Sequence, residues 1–330
     1  MNPVALEDIL AAQARIRGLV RETPVEPSPA LTARIGVPVW LKCENHQITG
    51  AFKLRGASNA VAQLGVAERA RGVVCASTGN HGRALAHAAR AAGIRAVVCM
   101  SRLVPANKLR AIEALGAEVR IIGRSQDDAQ EEVERLVREE GLAMIPPFDD
   151  PRVVAGQGTL GLEMLQAVPD MAMALVPLSG GGLIAGVAAA LKARKPDIRV
   201  VGISMARGAA MAESLAAGQP VQVEELPSLA DSLGGGIGLG NQVTFPMVRD
   251  LVDEVILLSE PEIAAGIRHC YAEERQVIEG AAAVGVGALL AGKLQPKGPV
   301  VALLSGANID MGLHLRIVSG EDVDLMAEEA

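Results

Sequence analysis

Lys53 lies between two apolar residues in the run Gly50-Ala51-Phe52-Lys53-Leu54-Arg55-Gly56-Ala57, where helical spacing begins. An amine attacks a carbonyl carbon only when neutral, and a lysine is neutral near pH 7 only in a desolvated or cationic setting. Phe52 and Leu54 would supply apolar walls, and Arg55 a nearby positive charge. On this run alone, a solvated lysine at a helix start is the simpler reading. A second run, Cys75-Ala76-Ser77-Thr78-Gly79-Asn80-His81-Gly82-Arg83, ends a strand and opens a helix. The Ser77 and Thr78 hydroxyls, the Asn80 amide and the unpaired N–H groups of a helix N-terminus make an anion site suited to a carboxylate. A plain N-cap and a structural His81 fit the same residues.

A third run, Ser179-Gly180-Gly181-Gly182-Leu183, joins an apolar strand to an apolar helix. Consecutive glycines let the backbone approach a phosphate, and the helix dipole stabilises its charge. The run is neither GxGxxG nor GxxxxGK[ST], so dinucleotide and P-loop readings lack support, while a tight βα turn stays open. The fourth run, Leu303-Leu304-Ser305-Gly306-Ala307-Asn308, again follows a strand. Ser305 could face a ring nitrogen as a hydrogen-bond partner, although a turn serine is the simpler reading.

These runs sit in a regular alternation. Apolar, β-branched segments at Val37–Leu41, Gly72–Ala76, Ala96–Met100, Glu118–Ile122, Ala172–Leu178, Arg199–Ile203, Glu254–Leu258 and Pro299–Leu304 predict strands. Helical spacing over His81–Ala92, Pro105–Leu115, Asp127–Glu140 and Leu183–Ala193 falls between them. The rhythm predicts an α/β fold of mainly parallel sheets with helices on both faces. Three β-α units fall between Arg71 and Glu140, and the prolines of Pro146-Pro147-Phe148-Asp149-Asp150-Pro151 then punctuate the chain. The expected organisation is a small domain over residues 51–145, inserted into a large one made of 1–50 and 146–330, with the ligand site in the cleft between them.

Composition excludes several classes. Half of the 330 residues are hydrophobic but only 2% are aromatic, so Ala, Val, Leu and Gly must fill the core. A net charge of −7 without a basic stripe argues against nucleic-acid binding. The four cysteines, Cys43, Cys75, Cys99 and Cys270, are scattered and read as reduced core residues. The first ten residues lack the basic start and apolar run of a signal peptide, so a cytoplasmic location is expected. Met171–Leu191 carries no charge, but Pro177 and the glycine run interrupt it, which favours strand, turn and helix over a membrane span.

Taken together and in this order, the four runs resemble the fold-type-II pyridoxal-phosphate enzymes, specifically the threonine dehydratase and serine racemase family. Further matches are Thr23-Pro24, Lys42-Cys43-Glu44, Phe148-Asp149-Asp150-Pro151, Gly156-Gln157-Gly158-Thr159 and Glu279, so the resemblance covers nearly the whole chain. It implies a two-domain fold like that of tryptophan synthase β, with parallel-sheet sandwiches. It also implies that Lys53 holds pyridoxal 5′-phosphate as a Schiff base, flanked by Phe52 and Asn80. Gly180, Gly181, Gly182 and Leu183 would cradle the phosphate, Ser305 would meet the pyridine nitrogen, and Glu279 would lie beside the cofactor. Ser77, Thr78, Asn80 and His81 would bind the substrate carboxylate. The freed lysine would take the α-proton, and the cofactor phosphate would protonate the leaving hydroxide. The implied reaction turns a β-hydroxy amino acid into a 2-oxo acid and ammonia. Racemisation and β-replacement are the alternatives on this fold, and a homodimer is expected.

Departures from the family pattern narrow this reading. Ser179 replaces the first of four glycines. Thr78 stands where serine racemase has a serine acting as second base; its methyl group would restrict side racemisation. Ser204 and Ala210 occupy the positions of a divalent-cation carboxylate pair in related racemases, so no metal is expected there. Pro146 and Gly280 differ from the usual His and Pro. The strings Ser77–Arg83 and Ser101–Lys108 are similar to a subgroup of hydroxyectoine-utilisation dehydratases, whose substrate would be a hydroxylated ectoine breakdown product. An end at Ala330 leaves no room for an effector-binding domain, so a catabolic enzyme is expected.

Overall fold

The computed structural model describes residues 3–329, apart from Thr78, Leu103, Pro105, Arg124 and Ser125. Among the described residues there are ten strands: β1 (Val25–Pro27), β2 (Val39–Cys43), β3 (Val73–Ala76), β4 (Ala96–Met100), β5 (Glu118–Ile121), β6 (Ala143–Met144), β7 (Met173–Pro177), β8 (Arg199–Met205), β9 (Glu254–Leu258) and β10 (Val300–Leu304). Up to residue 140 the chain carries α1 (Leu6–Ile16), α2 (Pro29–Ile35), α3 (Lys53–Ala62), α4 (Val66–Arg71), α5 (Asn80–Ala91), α6 (Ala106–Glu113) and α7 (Gln126–Glu140). The rest carries α8 (Pro151–Ala167), α9 (Gly182–Arg194), α10 (Ala210–Ala217), α11 (Thr244–Leu251), α12 (Glu260–Ala272), α13 (Gly280–Leu290), α14 (Met311–Val318) and α15 (Leu325–Glu329).

The strands form two sheets. One has six strands in the order β1-β2-β10-β7-β8-β9, the other four in the order β5-β4-β3-β6. All described pairings are parallel except β1 against β2. Both faces of each sheet are covered, as the short apolar strands require. Along β10, Val300, Ala302 and Leu304 enter one core while Val301 and Leu303 enter the other. In the smaller sheet Val73 and Cys75 face one side, Val74 and Ala76 the opposite side. This period of two is the pleat itself.

Eight predicted strands are present, Ala96–Met100 and Glu254–Leu258 with the predicted ends and the other six with one or both ends shifted. Val37–Leu41 moves to Val39–Cys43, and β8 runs on to Met205. Two short strands carry too little pattern to be read: β1, an edge strand ending in Pro27, and the two-residue β6. The uncharged stretch Met171–Leu191 resolves into β7, a glycine turn and α9, and no helix of the described residues is long and apolar enough to cross a membrane. The four cysteines are free and buried.

Three helices meet backbone to backbone. A Cβ on Gly156 of α8 would lie 2.6 Å from the Arg55 carbonyl oxygen and 2.7 Å from the Gly56 Cα of α3. On the other side of α8, a Cβ on Gly158 would lie 2.9 Å from the Gly186 carbonyl oxygen of α9. Only glycine permits such approach, so α3, α8 and α9 form one closely stacked layer.

Candidate active site

In a parallel sheet, loops leaving the C-terminal ends of adjacent strands converge on one edge, where ligands bind. Here β2, β10 and β7 are neighbours. The chain leaves β2 toward Lys53, β10 toward Ser305, and β7 toward the glycine turn. The Phe52 N–H donates to the Ser305 carbonyl at 3.0 Å, and Ala51 forms a β-bridge with Gly306. Lys53 Nζ donates to the Pro147 carbonyl oxygen at 2.8 Å and lies 5.2 Å from the Phe52 ring centroid. The next residue, Phe148, packs against the glycine turn so closely that a Cβ on Gly180 would run into its ring. Lys53, Ser305 and the glycine turn therefore share one site.

Burial lowers the Lys53 ammonium from its ordinary 10.5 to about 8, with Glu279 and Cys75 opposing the shift. A lysine in this state exchanges its proton near neutral pH, as an amine nucleophile and base requires. Gly181 has φ +88, a left-handed turn that directs the chain into α9. The first N–H groups of α9 have no intrahelical acceptor and point toward the cleft edge. The turn is held from behind: Thr244 Oγ1 donates to the Gly180 carbonyl at 2.7 Å. Asp149 accepts the N–H groups of Val243 and Thr244, each at 2.9 Å. The Ser305 side chain is buried and its Oγ has no hydrogen-bond partner among the described residues.

From the other side, the C-terminal end of β3 brings Ser77 and the start of α5. The N-cap of α5 is Gly79 rather than Ser77, but Ser77 Oγ accepts the Gly79 and Gly82 N–H groups at 3.1 and 2.8 Å and so satisfies donors of the first turn. Its own proton has no acceptor among the described residues and remains available. His81 Nε2 lies 2.8 Å from the Ile145 carbonyl oxygen, which fixes that nitrogen as the protonated one. Burial, followed by Lys53, pushes the ring down to about 3, so His81 is neutral with a partnerless Nδ1 acceptor. The ring thus offers no proton to a carboxylate. What His81 can offer is its backbone N–H in the first turn of α5. Thr78 lies outside the described residues.

Asn80 links the two sides. Its Nδ2 donates to both Glu279 oxygens at 2.8 and 3.1 Å, and to Ser232 Oγ at 3.4 Å. Its Oδ1 accepts from Asn308 Nδ2 at 2.6 Å, and Asn308 Oδ1 accepts from Arg83 at 2.7 Å. Burial and the nearby Asp231 raise the Glu279 carboxyl from 4.5 to about 7, against the pull of Asn80, Lys108 and the Asn308 N–H. Lys108 reaches across the cleft to Asp231 at 2.6 Å.

Sequence reading missed the Pro147 carbonyl, because backbone acceptors leave no residue signature. It also passed over Asn308, inside the fourth run, and Asp231-Ser232, a polar pair before Gly234-Gly235-Gly236 that could have marked a site loop.

A depressed lysine, a glycine turn at a helix start and an unpaired hydroxyl on one sheet edge define a cofactor-lysine enzyme of the α/β class. The chain belongs to the pyridoxal-phosphate dependent enzyme family, whose model matches residues 16–306. A Sinorhizobium fredii protein with the provisional name threonine dehydratase is 60% identical to it, over 97% of each chain. The L-threonine ammonia-lyase of Thermotoga maritima is 41% identical over 96% of this chain and 78% of its own. Maize serine racemase has a similar structure, with TM-score 0.90 and 34% identity over 95% of this chain and 96% of that one. The chain is thus a fold-type-II member of the threonine dehydratase and serine racemase group. Its residues fit the cofactor: free N–H groups at a helix start for a phosphate dianion, an amine for the aldehyde, and an unpaired hydroxyl for the ring nitrogen.

Proposed function

We propose that this protein is a threonine- or serine-type dehydratase that converts a β-hydroxy amino acid to a 2-oxo acid and ammonia. The observation that carries the reading is Lys53, held part-buried at an ordinary-pH proton equilibrium between Pro147 and the glycine turn. Bound pyridoxal phosphate supplies the electron sink for the pair left when the Cα–H bond breaks. The N–H groups of Gly180, Gly181, Gly182 and Leu183 would hold its phosphate, Phe52 and Asn80 would flank its ring, and Glu279 would lie beside it. Lys53, in its neutral form, would take the Cα proton. The Ser77 hydroxyl proton, the first N–H groups of α5 at Asn80 and His81, and the Thr78 hydroxyl bind the substrate carboxylate. Ser305 would offer the ring nitrogen a hydroxyl rather than a carboxylate, a partner that does not hold that nitrogen protonated and so would favour expulsion of the β-hydroxyl over transamination.

The substrate is threonine, serine or a hydroxylated diaminobutyrate of the ectoine type, the last supported by the Ser77–Arg83 and Ser101–Lys108 strings. The protein acts in the cytoplasm as a homodimer, a reading supported by the exposed apolar side chains of Tyr271, Met311 and Leu315 on α12 and α14. Sedimentation velocity at micromolar concentration gives a dimer on this reading; a monomer overturns it. Function is tested by assaying 2-oxo acid and ammonia over these substrates. Lysine-dependent release of both supports the dehydratase. Appearance of the D-enantiomer without ammonia replaces it with a racemase, and a new amino acid on adding a thiol replaces it with a β-replacement synthase.

A further inference from the structure

Directly behind Lys53, four charged side chains are buried together. Arg55 Nε and Nη2 donate to Glu44 at 3.0 and 2.8 Å, and Nη1 and Nη2 donate to Glu163 at 2.5 and 2.9 Å. The remaining donor capacity goes to Thr159 Oγ1 at 3.1 Å and the Arg21 carbonyl at 3.1 Å. Lys42 donates to Glu163 at 2.6 Å and to the Thr23 carbonyl at 2.7 Å, while the Thr23 hydroxyl donates to Glu44. The two cations and two carboxylates balance, and Lys42, Glu44 and Arg55 are fully buried. Both forks of a planar guanidinium are used, a geometry no ammonium reproduces.

We propose that Arg55 is a positioning residue: its fork ties the polar side of the first turn of α3, and with it Lys53, to the six-stranded-sheet body, while Leu54 and Ala57 of the same turn pack in the core of the smaller sheet. This rests on Lys53 being the cofactor lysine. The expected segment 51–145 contains α3, yet among the described residues every hydrogen-bond partner of the Arg55 side chain lies outside it: Arg21, Glu44 after β2, and Thr159 and Glu163 of α8. The glycine contacts described above run the same way, from α3 through α8 to α9, whose N-terminus is the glycine turn. The Gly56 N–H also donates to Gln157 Oε1 at 3.2 Å. Amine and phosphate cradle are thereby set at a fixed separation by one rigid layer. The Lys53 shift comes from burial, opposed chiefly by Glu279, and none of the cluster's charges enters it, so the influence of Arg55 is geometric.

The test is Arg55→Lys, which keeps the charge and loses the fork, with Thr159→Val as a milder variant that leaves all four charges. Both are compared with wild type for thermal midpoint, pyridoxal-phosphate affinity of the apoprotein, visible circular dichroism of the bound cofactor, kcat and KM. Arg55→Lys is expected to lower kcat at least tenfold with KM within threefold, weaken cofactor affinity and alter the visible circular dichroism. Thr159→Val is expected to move the same quantities about threefold. The proposal is overturned if activity falls only with the folded fraction while the cofactor spectrum is unchanged, or if kcat stays within twofold. Should Arg55→Lys not fold, Thr159→Val decides alone by the same criteria. Absence of a visible cofactor band in wild type would instead sink the parent reading of Lys53.

Discussion

The two sheet edges that build the cleft are secured in opposite ways. At the edge of the larger sheet, the run from Lys53 to Arg55 is fastened by fully buried ion pairs and by helices in glycine contact. Removing one partner from a buried pair costs on the order of 3–5 kcal/mol, because a charge is left without compensation. The edge of the smaller sheet meets the same cleft through part-buried amide contacts of Asn80 and through Lys108–Asp231, whose carboxylate is half exposed. Such pairs are worth about 0–1 kcal/mol. The contrast is one of holding energy: on the proposed roles, the amine and the phosphate cradle sit at the strongly held edge and the Ser77–Asn80 loop at the weakly held one.

The sharpest way to break this division is at the strongly held edge. Lys53→Ala should lower 2-oxo acid formation by about 10⁴-fold, the upper range for a general base, without lowering the thermal midpoint below pH 8. Retained turnover would place the chemistry elsewhere. Glu279, where the edges meet, should show in stability. Its folded-state pKa, about 7, lies above its ordinary 4.5, so its protonated form stabilises the fold below that range and the contribution is lost as pH rises through 7. The stability advantage of wild type over Glu279→Gln should be about 3 kcal/mol larger at pH 5 than at pH 8, read from urea melts of the apoprotein. A pH-independent difference would mean that the carboxyl is ordinary.

Smaller effects sharpen the comparison. Gly180→Ala must displace the Phe148 ring, an overpacking of about 1–3 kcal/mol, and should weaken pyridoxal-phosphate binding about tenfold in a titration of the apoprotein. Capture of cofactor by the apoprotein needs the neutral Lys53 amine. Its rate should therefore rise with pH through about 8, and at pH 7 be roughly a tenth of its plateau by stopped-flow absorbance. At the weakly held edge, Lys108→Ala should raise KM only about two- to fivefold and leave kcat nearly unchanged. A large loss of kcat there would make the Lys108 edge as essential as the other.

Much of this was legible in residue order. Strands with apolar, β-branched content announced themselves, and the turns after them carried the lysine, the glycines and Ser305. The glycine run was readable because backbone approach demands that residue type. That Ser77 would satisfy N–H groups at the start of α5 was also readable, since a hydroxyl just before a helix commonly does so. What escaped depends on distance along the chain. The hold of Thr244 and Asp149 on the glycine turn spans 64 residues for Thr244–Gly180 and 95 for Thr244–Asp149, and neither side chain advertises its partner. The loss of the His81 ring as a donor depends on one carbonyl, at Ile145, that only the folded chain supplies. Arg55 was read as a charge near the lysine, whereas its burial against two carboxylates cancels that charge.

The chain's one tryptophan gives this arrangement an optical consequence. Trp40 sits on β2, whose loop leads to Lys53, and pairs with Val301 on β10, whose end leads to Ser305. Its emission arises from a single, half-buried place in the body that carries the cofactor cradle. A chromophore bound at that edge should quench this light, so cofactor loading can be timed by intrinsic fluorescence without labelling the protein.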